Sequence, residues 1–390
     1  MKEVVFVPFD FDQVIERRRT DSLKWDSVDE KLLPMWVADM DFACPPEVVE
    51  ALVKRAEHGV FGYAIPSNNY NQAVIDWMQK RHRWAIEREW ILTCPGVVSA
   101  LDVAVRALTE PGDKVLIQVP VYHPFFSVVR NNNRILVENE LKYDGARYHM
   151  DFEDLEQKLA SGVKMMLLCS PHNPVGRVWT TEELKQLGDL CRKHQVMVVA
   201  DEIHADVVYP GYQHQVFSTA MPDLAQQSVI CTAANKTFNI AGLQAANIII
   251  ANPKVRKQFQ RVLATSGLGL PGVFAATALV AAYNYGTAWL DELLDYLADN
   301  LTFIKSFAQE HLPGVKIIEP EATYLAWLDF HRLDLDDEQL KELITRAGLV
   351  FNSGSQFGPG GEGFLRLNFA CSRIILAEGL ERLARVWPAK

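Results

Sequence analysis

The sequence CTAANKTFNIAG, residues 231–242, places Lys236 among small and polar residues between two apolar runs. The runs cover residues 228–231 and 245–251, and both have the composition of buried strands. Burial at a strand end disfavours the ammonium form of a lysine and lowers its pKa. A neutral amine can condense with an aldehyde or accept a proton near neutral pH. Lys236 is therefore the candidate nucleophile and base, although a single lysine at a strand end is more commonly just solvated.

Short apolar runs alternate with helix-period segments on both sides of this stretch, from residue 91 to residue 252. Uninterrupted runs such as residues 163–169 are typical of strands that are covered by helices on both faces, and hence of a mostly parallel sheet. Thr180 and Glu183 have the spacing of a capping box, which predicts the start of a helix. The predicted strands cover residues 115–119, 163–169, 196–200, 228–231 and 245–251, and the predicted helices cover residues 99–108 and 182–194.

The C-terminal part of the chain has a different rhythm, with helix-period segments at residues 289–307 and 338–347 and strand-like runs at residues 323–330 and 364–369. This mixture indicates a separate α+β unit. We therefore predict an α/β protein with a large domain at residues 46–288. The smaller α+β domain combines residues 1–45 with residues 289–390.

Composition excludes several classes of function. The chain has 390 residues, 39 of them basic and 49 acidic, and its net charge of −10 argues against a nucleic-acid or membrane-surface binder. No run approaches the roughly 18–20 apolar residues that a membrane span needs. The six cysteines show no CxxC spacing, which is typical of buried thiols in a reducing compartment. We expect a cytoplasmic protein.

One motif-like pattern does not fit its usual context, and one common metal motif is absent. Residues 267–272 match GxGxxG, but a helix-like stretch precedes them, whereas a dinucleotide fingerprint follows a strand. The ten histidines include no HExxH pattern, so no metal site is expected.

Three polar side chains follow three predicted strands. Asn173 follows the strand at 163–169, Asp201 follows the strand at 196–200, and Lys236 follows the strand at 228–231. Ligands bind beyond the carboxyl ends of the strands in an open parallel sheet, so the three side chains should converge. An amine, a carboxylate and an amide are the groups that pyridoxal 5'-phosphate (PLP) requires for its aldehyde, its pyridine nitrogen and its phenolic oxygen.

Two further stretches could complete a PLP site. Residues 94–99 lead into a predicted helix, whose first N–H groups could bind the phosphate. Tyr122 offers an aromatic face for the cofactor ring, although a half-buried turn tyrosine is an equally ordinary interpretation.

From about residue 10 to its end, the chain resembles the fold-type I PLP enzymes of the class I/II aminotransferase superfamily. In particular, it resembles the branch of cystathionine β-lyases and cysteine-S-conjugate β-lyases typified by MalY and PatB. The resemblance implies an aminotransferase-like fold, with a three-layer α/β/α large domain around a mostly parallel sheet and a smaller α+β domain. The motifs that carry the resemblance are KWD (24–26), WVADMDF (36–42), GVFGY (59–63), SPHNPVG (170–176), ADEIH (200–204), NKTFNIAG (235–242), TYLAWLD (323–329) and RLN (366–368).

The resemblance implies a role for each matching position. Lys236 would hold the cofactor aldehyde, Asp201 would contact the pyridinium and Asn173 would contact the phenolic oxygen. Tyr122 would stack on the ring and, with Lys236, act in catalysis. The other implied cofactor contacts are the backbone amides of Val97 and Val98, His204, and Tyr63 from the neighbouring subunit.

The implied substrate contacts are Arg366, whose guanidinium matches a carboxylate, and Val37. The alternative for Arg366 is a purely structural salt bridge with an acidic side chain. The Tyr63 role implies a homodimer, and the substrate implied is a small sulfur-containing amino acid.

Three positions depart from the commonest aminotransferase pattern. Ala233 replaces a hydroxyl residue and Gln244 replaces an arginine, so two phosphate ligands are missing. His204 stands where many aminotransferases have tyrosine. By resemblance, the last two favour the lyase branch. We therefore predict a PLP-dependent carbon–sulfur β-lyase. The alternatives are an aminotransferase, which residue spacing alone does not separate from a lyase, and a regulatory or binding protein that has kept the fold.

Overall fold

The computed structural model describes residues 9–388. The strands in this range are β1 (Leu33–Pro34), β2 (Ile91–Cys94), β3 (Lys114–Val119), β4 (Ile135–Glu140), β5 (Lys142–Tyr143), β6 (Tyr148–His149), β7 (Val163–Cys169), β8 (Met197–Asp201), β9 (Ser228–Thr232), β10 (Ala246–Ile249), β11 (Lys316–Ile318), β12 (Leu325–Asp329), β13 (Leu349–Val350), β14 (Asn352–Ser353) and β15 (Phe364–Asn368). The α-helices are α1 (Leu23–Asp26), α2 (Pro46–Glu57), α3 (Asn68–His82), α4 (Val97–Leu108), α5 (Pro124–Arg130), α6 (Phe152–Ala160), α7 (Thr181–Lys193), α8 (Phe217–Ala220), α9 (Ala234–Thr237), α10 (Pro253–Thr265), α11 (Val273–Tyr285), α12 (Thr287–His311), α13 (Asp337–Arg346) and α14 (Arg373–Arg385).

A seven-stranded sheet in the order β2-β10-β9-β8-β7-β3-β4 forms the centre of the molecule. Only β10 runs antiparallel to its neighbours within this sheet, so the predicted mostly parallel α/β architecture is confirmed. Cys169 pairs with Asp201, and Asp201 pairs with Cys231. This register aligns the carboxyl ends of β7, β8 and β9 at one edge of the sheet.

The sheet is covered on both faces. Successive residues of the apolar run in β7 point in opposite directions, so Met166 and Leu168 join one buried core while Met165 and Leu167 join the other. Helices α4 and α10 pack on the face of the second core, and α6 and α7 pack on the other face. Continuous apolar strands therefore produce three layers, α/β/α.

Two helix starts illustrate how local sequence sets the fold. Thr180 caps α7 with the predicted capping box, in which its side chain accepts from the Glu183 N–H and the Glu183 side chain accepts in return. Helix α4 begins at Val97, two residues before the predicted start. Gly96 is its N-cap residue and has an extended backbone conformation.

A second sheet, in the order β11-β12-β15-β14, is antiparallel and lies in the C-terminal part of the chain. The N-terminal segment joins this part through parallel pairing of β1 with β13. The predicted helix at 289–307 extends further, as α12 from Thr287 to His311. Residues 1–8 and 389–390 of the predicted smaller domain lie outside the described residues.

Within the central sheet, strands β2 and β4 were not predicted from the sequence, and neither were the short strands β1, β5, β6, β11, β13 and β14 elsewhere. Strand β4 is an edge strand whose residues are mostly half-buried or exposed, so its sequence lacks a continuous apolar run. The GxGxxG match follows helix α10 rather than a strand, which confirms that it is not a dinucleotide fingerprint. Across residues 9–388, no helix has both the length and the apolarity to cross a membrane.

Candidate active site

A cavity of about 270 Å³ lies at the carboxyl edge of the central sheet. Asn173, Asp201 and Lys236 all line this cavity, as the positions of their strands lead one to expect. The start of α4 closes one side of it and the segment around Ala38 closes another. The three strand-end side chains are therefore brought together by the sheet register rather than by proximity in sequence.

Lys236 projects from the short helix α9, which directly follows β9. Its Nζ donates a hydrogen bond to the carbonyl oxygen of Ala38 at 2.5 Å. Burial lowers the pKa of Lys236 from 10.5 to about 8, and the positive charge of Arg366 adds to this effect, whereas Asp39 and Asp201 oppose it. A large fraction of the amine is consequently neutral at mildly alkaline pH, which is the form that reacts with aldehydes.

Asp201 ends β8 and has a side chain that is almost fully buried, with 5% of the residue exposed. One carboxylate oxygen accepts from the N–H of Ile203 at 3.1 Å. Burial raises the pKa of Asp201 from 3.8 to about 7 because, among the described residues, no cationic side chain forms a salt bridge with it. A buried carboxylate of this kind is complementary to a ligand that presents a cationic N–H group.

The start of helix α4 provides a site for an anion. Gly96 precedes the helix and offers no side-chain cap, so the first N–H groups of Val97, Val98 and Ser99 lack that partner. All of these residues line the cavity. Gln244 also lines it, from a left-handed backbone conformation with φ of 57°. Free N–H groups at the positive end of the helix dipole favour a phosphate.

Arg366 lies in β15 and is buried, with 3% of the residue exposed. Its guanidinium donates to Asn173 Oδ1 at 3.0 Å, to Asn352 Oδ1 at 2.7 Å and to the carbonyl oxygen of Trp36 at 2.8 Å. Its Nε has no partner among the described residues, and burial lowers its pKa to about 10. No acid of residues 9–388 forms a salt bridge with Arg366, which excludes the alternative of a structural ion pair in this part of the chain.

Two ring systems complete the cavity wall. Tyr122 lines the cavity, and its backbone N–H donates to the carbonyl oxygen of Asn173 at 3.1 Å. His204 also lines the cavity, and its ring lies 6.0 Å from that of Tyr324. Burial, together with the positive charges of Lys236 and Arg366, lowers the pKa of His204 to about 3, so this imidazole is neutral.

Three predicted site residues do not line the cavity within a single chain: Tyr63, Val37 and Arg366. Arg366 reaches the cavity wall through its hydrogen bond to the lining residue Asn173. Tyr63 is fully exposed and lies in a surface groove with residues of the 264–273 segment. Val37 does not line the cavity, and its carbonyl oxygen accepts a hydrogen bond from Asn368 at 2.5 Å. The neighbouring Ala38 takes the lining position, because its carbonyl oxygen faces Lys236 and the hydroxyl of Tyr324.

Sequence reasoning missed several contributors to the site. Asn235 lines the cavity with a buried side-chain oxygen that has no partner among the described residues. Cys169 also lines it, at the end of β7. The position of Asn235 directly before Lys236 was a usable signal. The role of the Ala38 carbonyl could not be predicted, because every residue has a backbone carbonyl and the sequence does not distinguish this one.

Residues 30–383 match the family profile described as aminotransferase class I and II. The chain is 47% identical to the cystathionine beta-lyase PatB of Bacillus subtilis (strain 168), over 96% of this chain and 98% of that protein. Cystalysin from Treponema denticola, whose crystal structure contains PLP, superposes with a TM-score of 0.94 at 39% identity, covering 97% of this chain and 99% of that one. A PLP-bound C-S lyase from Staphylococcus hominis superposes with a TM-score of 0.92 at 32% identity, covering 98% and 99% of the two chains.

Proposed function

The chain belongs to the class I and II aminotransferase family, and from that membership we propose that it is a PLP-dependent carbon–sulfur β-lyase. The reaction would cleave L-cystathionine or a related cysteine-S-conjugate to a thiol, pyruvate and ammonia. One observation carries the proposal most directly. Lys236, with a lowered pKa, and Asp201, with a raised pKa, line the same cavity without forming a salt bridge with each other.

The residues of the cavity fit PLP. Asp201 could hold a protonated pyridine nitrogen, because that cation would compensate a carboxylate that is buried without a charged partner. The N–H groups at the start of α4 could bind the phosphate without an arginine, and the amide of Gln244 could add a neutral contact. Asn173 uses its Oδ1 for Arg366, which leaves its Nδ2 available for the phenolic oxygen.

When bound, PLP supplies an electron sink for the negative charge that develops at Cα of the substrate. Arg366 binds the substrate carboxylate and thereby fixes the direction of the Cα–H bond. The neutral Lys236 amine accepts the Cα proton, while the Ala38 carbonyl oxygen holds the nitrogen in place. Asp201 and Arg366 are buried, so little water reaches their charges.

An aminotransferase is the second candidate, because it shares the removal of the Cα proton and belongs to the same family. The names of the similar proteins favour the lyase. His204 and Gln244 depart from the commonest aminotransferase pattern, and by resemblance these departures accompany β-elimination. We include this assignment in the proposal. A purely regulatory or binding role is disfavoured by a cavity that retains Lys236, Asp201 and Asn173 together.

The proposal includes a homodimer in which Tyr63 reaches the phosphate of the neighbouring subunit. Support comes from the complete exposure of Tyr63 and from the apolar side chains around it, since Phe61, Ile65 and Leu270 are each more than half exposed. We also propose a cytoplasmic location, for which the six free cysteines are the support, since free thiols are typical of reducing compartments.

We retain the division into a large domain at residues 46–288 and a smaller domain of residues 1–45 and 289–390 as part of the proposal. The pairing of β1 with β13 supports the assignment of the N-terminal segment to the smaller domain. The boundary near residue 288 falls within the first turn of α12.

The cofactor test uses purified protein incubated with PLP. We expect a visible absorption band, and after reduction with borohydride we expect a cofactor-modified peptide that contains Lys236. Lys236→Ala should lack this modification. A colourless wild-type protein, or modification of a different lysine, would refute the proposal.

A further inference from the structure

Helix α9, which carries Lys236, has little support of its own. It is only four residues long, and Ala233 at its N-cap provides no side-chain hydrogen bond. Within residues 9–388, two α9 side chains make hydrogen bonds: Lys236 bonds to Ala38, and Thr237 Oγ1 donates to Asp206 Oδ2 at 2.7 Å. The Lys236 bond involves the reactive nitrogen itself. The Thr237–Asp206 bond is therefore the contact that can anchor the helix during a reaction.

Asp206 is itself firmly held. It is 6% exposed, and its Oδ1 accepts from His82 Nε2 at 2.8 Å and from Trp77 Nε1 at 3.1 Å. Burial alone raises the pKa of such a carboxyl, but the hydrogen bond and charge of His82 and the hydrogen bond from Thr237 bring the pKa of Asp206 below its usual value. Asp206 is consequently an ionised acceptor that joins the end of α3 to α9.

The residue after Thr237 is held by the same group of side chains. The Phe238 ring packs against Trp77 at a centroid distance of 5.5 Å in an edge-to-face arrangement. Trp77 thus contacts Asp206 through its indole nitrogen and Phe238 through its ring. The two residues that follow Lys236 are fixed to one buried assembly, whereas Asn235 before it has no side-chain hydrogen bond in the described structure.

We propose that Asp206 is a positioning residue for Lys236, acting through the hydroxyl of Thr237, an assignment that rests on the proposed function. An ionised carboxylate is costly to bury, and an apolar group of similar volume generally stabilises a fold at least as well. A charge-assisted bond from a hydroxyl to a carboxylate is short and directional, so it defines the orientation of α9 more narrowly than apolar packing does. Lys236 needs a narrowly defined orientation of α9, because its nitrogen must remain beside Ala38 and within reach of the substrate proton.

The test compares Thr237→Val, which removes the hydroxyl at nearly constant volume, with Thr237→Ser, which keeps it. Tyr70→Phe is the matched control, because it removes a buried hydroxyl of α3 that donates to Asn247 at 2.6 Å and takes no part in the site. One measurement needs no cofactor: the pH profile of Lys236 acetylation by acetic anhydride, followed by peptide mass spectrometry. The other is the pair of constants kcat and KM for the PLP-loaded enzyme.

We expect Thr237→Val to move the midpoint of Lys236 acetylation upward from about 8, because a less constrained amine gains hydration while Asp39, Asp201 and Arg366 are unchanged. We also expect kcat to fall about 10- to 100-fold, with KM nearly constant. Thr237→Ser should restore both values to within about twofold, and Tyr70→Phe should resemble the wild type.

A folded Thr237→Val protein with a wild-type acetylation profile and wild-type kcat would overturn the positioning role. If Thr237→Val does not fold, Thr237→Ala provides the same comparison with a smaller side chain. Failure of the wild-type protein to bind PLP would instead reject the proposed function, and the acetylation profiles would still decide whether Thr237 positions Lys236.

Discussion

The guanidinium of Arg366 donates to the side-chain oxygen of Asn173 at 3.0 Å, which connects the candidate carboxylate-binding residue to a candidate cofactor-binding residue. The two residues are 193 positions apart in sequence. Arg366 lies in β15 of the second sheet, whereas Asn173 lies in the loop that follows β7 of the central sheet. A substrate carboxylate bound at Arg366 would therefore lie beside the cofactor, because Arg366 contacts the residue that would bind the cofactor. The same bond orients the Asn173 amide, so both binding functions depend on it.

Substitution of Arg366 should weaken substrate binding. Arg366→Ala removes charge-assisted hydrogen bonds of roughly 1.5–3 kcal/mol each, so KM for the amino acid should rise at least about tenfold. Arg366→Lys keeps the charge without the planar fork and should give an intermediate KM. Steady-state kinetics provide the measurement, and a KM that is unchanged in both variants would place the carboxylate elsewhere.

Asp201→Asn should separate stability from activity. Folding raises the pKa of Asp201 from 3.8 to about 7, so the cofactor-free protein loses stability as the pH rises between these values. The loss is at most on the order of 4 kcal/mol, at about 1.4 kcal/mol per pKa unit. Asp201→Asn should therefore raise the melting temperature of the cofactor-free protein at pH 8 but not at pH 4.

The same substitution should slow removal of the Cα proton by on the order of 10²-fold, because a pyridine nitrogen without its anionic partner is a poorer electron sink. Stopped-flow measurement with Cα-deuterated substrate reports this step. An unchanged rate of proton removal would count against the assignment of Asp201, whatever the melting temperature shows.

The pH dependence of PLP attachment should follow Lys236. The neutral amine is the reactive form, so the attachment rate to cofactor-free protein should rise with pH and level off above about 8. Asp39 raises the pKa of Lys236, so Asp39→Asn should move the midpoint to lower pH. His204 stays neutral over this range and should not contribute. A midpoint near 10.5, the ordinary lysine value, would show that Lys236 is not buried as described.

Mixing two inactive variants should test whether Tyr63 acts across a subunit interface. In a mixed dimer of Lys236→Ala and Tyr63→Ala chains, one site receives an intact Lys236 from one subunit and an intact Tyr63 from the other. Activity should therefore reappear when the two variants are refolded together. Each mixed dimer has one intact site and should have about half the activity of a wild-type dimer. If Tyr63 acted within its own chain, no mixture would regain activity.

The sequence predicted the parts of the site that depend on buried parallel strands. Continuous apolar runs marked β7, β8 and β9, and polar residues at their ends marked Asn173, Asp201 and Lys236. Edge strand β4 was not predicted because most of its residues are half-buried or exposed, so it has no continuous apolar run.

Contacts between distant segments were not predictable in the same way. The Thr237–Asp206–His82 contacts join three segments that share no local pattern, and the Ala38 contact uses a backbone carbonyl. The predicted role of Tyr63 requires a second chain, so a single chain cannot supply its geometry.

The central claim is β-elimination, and its most direct measurement follows product formation from L-cystathionine without any added keto acid. In the same preparation, alanine and 2-oxoglutarate provide the transamination assay. We predict steady release of thiol, pyruvate and ammonia from L-cystathionine, and little glutamate from the second mixture. Rapid glutamate formation, with products from L-cystathionine appearing only when a keto acid is added, would contradict the lyase and establish an aminotransferase.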